Sequence, residues 1–284
     1  MDAYTYLKRK QIEWARRRGI QLEGSEGAHG EQAYCPTVQE NLCSSLCDES
    51  KCEYAEGDGN ELGSKIRAVH SSSAAAVNLF EYWRRCGVFI PIANAVCIPS
   101  GNIISLNYEA QLPIATNVDR IRFRQHPNVD VVVRYDRGPT RLVGIECKFT
   151  EAYSSRGHAG IRPPYLEWGD LWTELRACRK LAETISPVDN TFRHLHAAQL
   201  LKHILGLKHA CCGTRRFRLV YIWHDAPFGS GYLHRKEIEA FGDVARADGI
   251  LFQAITYQEV ILYLAGHWRE QHRQYVDYLT ERYL

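Results

Sequence analysis

Apolar residues recur along this chain with two periods, and the change between them marks out the elements. Residues from about 3 to 18 place Tyr6, Ile12 and Ala15 in an otherwise charged stretch, the pattern of a helix. A Gly-rich loop is read from Gly19 to Gly30, and residues 35 to 65 read as mostly irregular, first cysteine-rich, then acidic and Gly-rich. From about Ser73 to Cys86, Ala76, Val77, Phe80 and Trp83 form the buried stripe of a strong helix, with serines for its N-cap and Gly87 for its stop. Period two follows. The apolar runs Val88 to Ile92 and Ala95 to Ile98 read as β, Pro99-Ser100-Gly101-Asn102 as a turn, and Ile103 to Leu112 as an alternating strand. Two more strands are predicted at about 129 to 135 and 141 to 149. Helical spacing returns with Leu171, Leu175, Cys178, Ala182 and Ile185, ended by Pro187, and again over about 192 to 209. Phe217 to Trp223 and Ile250 to Ile255 read as strands, and residues from about 257 to 284 as helical and rich in Tyr.

A helix, a β meander, then alternating helices and strands make an α/β protein. The chain has 284 residues, 45% of them apolar, enough for one large domain or a core with an appended module. Its longest apolar runs are far shorter than a membrane span, and the N-terminal MDAYTYLKRKQIEWARRR has no apolar signal segment. No membrane partner and a cytoplasmic location are the expectation. The net charge of +2 does not announce nucleic acid. Local clusters do so better: Lys8 to Lys10, Arg16 to Arg18, and Arg215, Arg216 and Arg218 read equally as phosphate-neutralising groups or as solvated faces.

The chemistry concentrates in NVDVVVRYDRGPTRLVGIECKFTE, from Asn128 to Glu151. Residues two apart on a strand share a face, so Glu146 and Lys148 project together while Ile145 and Cys147 point into apolar packing. Asp130 opens the preceding strand. Charged side chains on apolar strands are costly unless paired or metal-bound. Two carboxylates and a lysine at one end of a strand pair can hold a divalent ion and polarise a water beside it. An edge strand with an ordinary Glu–Lys pair is the plainer alternative. Downstream, His196, Gln199 and His203 share one helix face, opposite Ala197, Leu200, Leu201, Ile204 and Leu205.

Asp130 on one strand with Glu146-Cys147-Lys148 on the next resembles the PD-(D/E)XK nuclease superfamily, in a restriction-endonuclease-like branch. The Pro127-Asn128-Val129-Asp130 segment interrupts the Pro-Asp pair of that pattern. The resemblance extends to the strand Tyr108-Glu109-Ala110-Gln111, the helix opened by His70-Ser71-Ser72-Ser73, and Gln199 to His203. It implies a restriction-endonuclease-like core with a central mixed sheet flanked by helices, over residues 67–265. Residues 1–66 would be a helical and loop extension, and 266–284 a C-terminal helix on the core or at an oligomer interface.

The resemblance also implies roles. Asp130, Glu146 and Glu109 would ligate Mg²⁺, for which Mn²⁺ can substitute, with Glu109 direct or through water. Lys148 would stabilise the attacking hydroxide and the transition-state charge, and Gln199 would stand near the site. Glu151 and His203 are second-layer candidates. Glu81 competes for the acid role but reads as solvated. The implied reaction is hydrolysis of DNA, leaving a 5′-phosphate and a 3′-hydroxyl, in defence against foreign DNA. A homodimer would supply two active sites for two strands.

The cysteines pose a separate question. Ten in a chain of this kind argue against a disulfide framework. Cys35, Cys43, Cys47 and Cys52 fall close together and could hold Zn²⁺ or an iron–sulfur cluster. Their spacings of seven, three and four intervening residues match no standard knuckle, so free thiols in a surface loop are the alternative. Three readings thus stand beside a DNA endonuclease: a catalytically silent nucleic-acid-binding protein on the same fold, a metal-binding scaffold built on the cysteines, and an RNA-cleaving nuclease.

Overall fold

Strand-forming sequence and helix caps set out a chain that alternates between a sheet and the helices on its two faces. The structure, a computed structural model, describes residues 1–24, 32–57, 62–114 and 126–284. Part of the Gly19–Gly30 loop and part of the acidic stretch before residue 65 therefore lie outside the described residues. In chain order the elements are α1 (Ala3–Arg17), α2 (Asp48–Glu56), α3 (Ser72–Cys86), α4 (Ile90–Ala95), β1 (Ile103–Gln111), β2 (Asn128–Tyr135) and β3 (Leu142–Lys148). They continue with β4 (His158–Ala159), α5 (Pro163–Glu167), α6 (Arg176–Thr184), β5 (Val188–Asp189), α7 (Ala197–Cys211) and β6 (Phe217–Trp223). The last are α8 (Gly229–Ala247), β7 (Leu251–Thr256), α9 (Tyr257–His267) and α10 (Arg273–Tyr283).

The main sheet has the order β1-β2-β3-β6-β7. The first three strands form the antiparallel meander; β6 and β7 add in parallel through helical crossovers, making the sheet mixed. Alternation sends Val131, Val133, Val143, Ile145 and Cys147 to one face, against α3, α9 and α10. Leu142, Phe217, Leu219 and Tyr221 turn to the other face, against α6, α7 and α8. The order is thus helix, sheet, helix, with a core on each side of the sheet.

Close approach fixes α7 on its face. A Cβ on Gly144 would lie 2.8 Å from Leu207 Cδ1, and one on Gly206 would lie 2.8 Å from the Leu112 Cβ. Glycine at both positions lets the helix lie directly on the strands. On the other face α3 is buried almost all round. Its Ser71 N-cap accepts from Ala74 N, and Gly87 ends it in the left-handed region, as its sequence predicts.

Several expectations need correction. The run Val88 to Ile98 holds no strand: it forms α4, with Pro91 in its first turn and Ile92, Ala93 and Ala95 buried. A short apolar run has no period that separates strand from buried helix, and the proline favours a helix start. Residues 35 to 65 are not all irregular, since α2 lies within them. The helix read from 192 begins only at Ala197, with His196 at its cap. The 19-residue α8, absent from the pattern reading, buries His234, Glu237, Ile238, Phe241 and Ala245; its stripe mixes polar and apolar residues and gives a weak signal.

Residues before α3 share core with the rest of the chain. Leu42, Leu46, Tyr54 and Ile66 pack with α3, α9 and α10. Arg282 of α10 is buried and donates to Gln11 Oε1 (3.0 Å), Asn41 O (2.6 Å), Asn41 Oδ1 (2.6 Å) and Val69 O (3.1 Å). Its guanidinium also lies 4.1 Å from the Trp14 ring centre.

Candidate active site

Two adjacent antiparallel strands place an acid near the start of one beside an acid and a lysine at the end of the next. Asp130 lies near the start of β2, and Glu146 and Lys148 at the end of β3. Asp130 Oδ2 accepts from the Cys147 amide at 2.7 Å, which fixes the carboxylate across the strand pair. Glu146 is fully buried. Its Oε2 lies 2.7 Å from His203 Nε2, so against an ionised carboxylate Nε2–H is the donor. Its Oε1 lies 2.5 Å from Lys148 Nζ, a direct pairing of carboxylate and ammonium.

Glu109 enters by an irregularity. The ladder pairs Tyr108 with Val131 and Ala110 with Val129, which sets Glu109 opposite Asp130. Glu109 has φ +45°, rare for a residue with a side chain. Tyr108 and Val131 belong to one core, whereas Ala110 and Val129 belong to the other. Strand alternation therefore breaks at the two acids. Such backbone irregularity is tolerated mainly where the surroundings enforce it, often at functional sites. On the flanking helix, Glu53 accepts from Tyr108 N at 2.9 Å and Asn107 Nδ2 at 2.7 Å, pinning the strand just before the irregular residue.

A cleft of about 1200 Å³ opens here, lined among others by Glu109, Asn128, Asp130, Lys148, Glu151 and Gln199, while Glu146 is buried and is not among its lining residues. Burial, and then the Glu146 and Glu109 carboxylates, push the Asp130 carboxyl well above the usual range, against the pull of Lys148. Burial also works to raise Glu146, but Lys148 and His203 outweigh it and hold the carboxyl low. For Lys148, burial favours the neutral form, but Glu146 and Asp130 outweigh it and keep the ammonium charged. At Asp130, burial and the neighbouring carboxylates outweigh Lys148, a balance that a further cation would ease.

The donors fit a hard one. Carboxylate oxygens suit Mg²⁺ or Mn²⁺, and Asn128 Oδ1, which lines the cleft beside Asp130, is buried without a hydrogen-bond partner. Among the described residues no three His, Cys, Asp or Glu side chains form a ready-made cage. A divalent ion here would draw on one or two carboxylates, with water and substrate oxygens, the arrangement Mg²⁺ favours.

The remaining candidates fall into place unevenly. Glu151 lines the cleft and accepts from Ser72 Oγ, which itself accepts from Phe149 N at 2.9 Å, tying the end of β3 to the start of α3. Gln199 lines the cleft one turn before His203 on α7. His203 is buried, not on an exposed polar face. Glu81, read as solvated, is also buried; it accepts from Cys47 N (2.7 Å) and Ser50 Oγ (2.8 Å) and anchors the start of α2.

The four N-terminal cysteines are not brought together as metal ligands. Cys35 is buried among Ala33, Val69 and Ile12, Cys43 is half-buried, Cys47 precedes α2 and Cys52 is exposed on it. Burial pushes the Cys35 and Cys43 thiols up to about 11, which disfavours the thiolates a metal needs. The basic clusters read from the sequence do not line the cleft; Lys65, Arg156 and Arg193 do. Sequence reading also passed over Asn128, two residues before Asp130, where a polar residue opening an apolar strand was the available signal.

A mixed sheet with helices on both faces and an acid–lysine cleft at the strand ends define a restriction-endonuclease-like protein. Comparison narrows this: a family model described as "Restriction Endonuclease associating with ARP" matches residues 8–284, and the chain belongs to that family. No curated protein and no solved structure matches it. Among the described residues no helix is long and apolar enough to cross a membrane.

Proposed function

We propose that this protein is a Mg²⁺-dependent endonuclease that hydrolyses phosphodiester bonds of DNA, with Mn²⁺ able to replace Mg²⁺. The observation that carries the reading is the meeting of Asp130 and Lys148 in one cleft, with the buried Glu146 paired to Lys148 at 2.5 Å. Membership of a restriction endonuclease family supports the reaction class.

Asp130 and Glu146 are the proposed metal ligands, with Glu109 acting through water. A bound Mg²⁺ would supply Lewis-acid polarisation of the phosphoryl oxygen and a more acidic water. Lys148, held charged, would stabilise the negative charge that builds on the phosphoryl oxygens as water adds to phosphorus and the bond to the 3′ oxygen breaks. The products are then a 5′-phosphate and a 3′-hydroxyl. Arginine would not serve equally, since the ammonium is compact and reaches through a flexible stem. His203 positions Glu146 by its hydrogen bond, and Gln199 stands on the same helix toward the cleft. We place the activity in the cytoplasm, in defence against foreign DNA, and propose a homodimer as the assembly that brings two sites to two strands.

The test is incubation of supercoiled plasmid with the protein in Mg²⁺, Mn²⁺ or EDTA, followed by analysis of the new ends. Nicked or linear product bearing 5′-phosphates, formed with either metal and absent in EDTA, is the expected result. Cleavage in EDTA at the same rate contradicts the metal dependence.

A further inference from the structure

The catalytic groups occupy one side of the cleft. The residues before α3 supply another wall, and its chemistry is different. Tyr4 comes from α1. Tyr34 comes from a segment held by isolated bridges to Glu23 and Ala68, and His70 from just before α3. The His70 ring meets Tyr4 at 6.1 Å and 83° and Tyr34 at 6.4 Å and 78°, both edge to face. All three rings are half-buried and line the same cleft as Asp130 and Lys148.

We propose that this cleft takes an unpaired DNA strand, with a base beside the scissile phosphate stacked on Tyr4 and Tyr34. The proposal deepens the nuclease reading and rests on it for the position of the phosphate. Three observations favour one strand over two. In a duplex each base face is covered by its neighbours, so only an unpaired or extruded base can offer a face to a tyrosine. The cations lining the cleft are Lys65, Lys148, Arg156 and Arg193, whereas the basic clusters that would serve a second backbone do not line it. Burial holds His70 down at about 4, so near neutral pH the third ring is an uncharged aromatic surface and not another phosphate partner. Tyr4 lines this cleft together with Arg156 and Glu151.

Binding and cleavage are measured separately. Fluorescence anisotropy with a labelled oligonucleotide, single-stranded or annealed, is read in Ca²⁺ so that binding does not depend on turnover. The wild type is expected to bind the single strand more tightly than the duplex. The double variant Tyr4→Ala with Tyr34→Ala is expected to lose about tenfold or more of its single-strand affinity, with duplex affinity little changed. Tyr4→Phe with Tyr34→Phe keeps the rings, controls for folding and should bind as the wild type does. Duplex binding as tight as single-strand binding, or loss of both forms in equal measure in the alanine variant, overturns the proposal. Cleavage of the same oligonucleotides in Mg²⁺ separates the two claims. A protein that cuts DNA but fails the stacking test keeps the nuclease reading and loses this one. A protein that passes the stacking test but cuts nothing keeps the cleft assignment and loses the nuclease reading.

Discussion

Glu146 is gripped from both sides, by Lys148 at Oε1 and His203 at Oε2, and this arrangement decides what single substitutions should do. His203 touches no substrate in this account; it aims a carboxylate at the metal. Removal of such a partner typically lowers metal affinity about 10- to 100-fold. Titration calorimetry with Mn²⁺ should show that loss for His203→Ala, whereas unchanged affinity would leave His203 a purely structural residue. Asp130, Glu146 and Lys148 were legible in the sequence because charges on apolar strands are conspicuous. Glu81 was misread, because a carboxylate bound to the Cys47 amide and the Ser50 hydroxyl has no local sequence signature. Glu237 was missed for the same reason: it accepts from the amides of Arg193, His194 and Leu195, all more than forty positions away in the chain.

Elements with a clean period and a cap were legible: α1, α3, the three meander strands, β6 and β7. Those without one were not. The α4 segment carries a short apolar run that suits strand or helix alike, and only its packing chooses. In α8, buried His234 and Glu237 interrupt the apolar stripe. At this scale the buried Arg282 is the joint between α10, α1 and the segment around Asn41. It has no carboxylate partner among its hydrogen bonds, so its charge is met by oxygens of Gln11, Asn41, Tyr278 and Val69. Arg282→Met would strand several of these acceptors in the interior, at a cost of about 3 kcal/mol or more. Urea denaturation should show a lower midpoint, and limited proteolysis should cut sooner around α1. An unchanged midpoint would mean that packing alone holds the N-terminal residues in place.

Over the whole molecule, buried neutral histidines make stability depend on pH. Burial pushes His234 down to about 3 and His224 down to about 4, each from an ordinary value of 6.5. Below pH 6.5 the unfolded chain takes up protons that the folded chain refuses, so the stability present above that pH is lost as pH falls toward 4. Each group contributes at most about 1.4 kcal/mol per pH unit. Urea denaturation at pH 6 and pH 5 should therefore differ by about 2 kcal/mol from these two residues, with a smaller difference for His234→Phe; an equal slope in that variant would remove His234 from the explanation. The proposed activity rests on the convergence of Asp130, Glu146 and Lys148 at one end of the sheet. The most direct test is the rate of plasmid cleavage in saturating Mg²⁺ by wild type, Asp130→Asn and Lys148→Ala, each checked for folding by circular dichroism. The account predicts cleavage by the wild type and a fall of about 100-fold or more in both folded variants. Cleavage by either variant at the wild-type rate would contradict it.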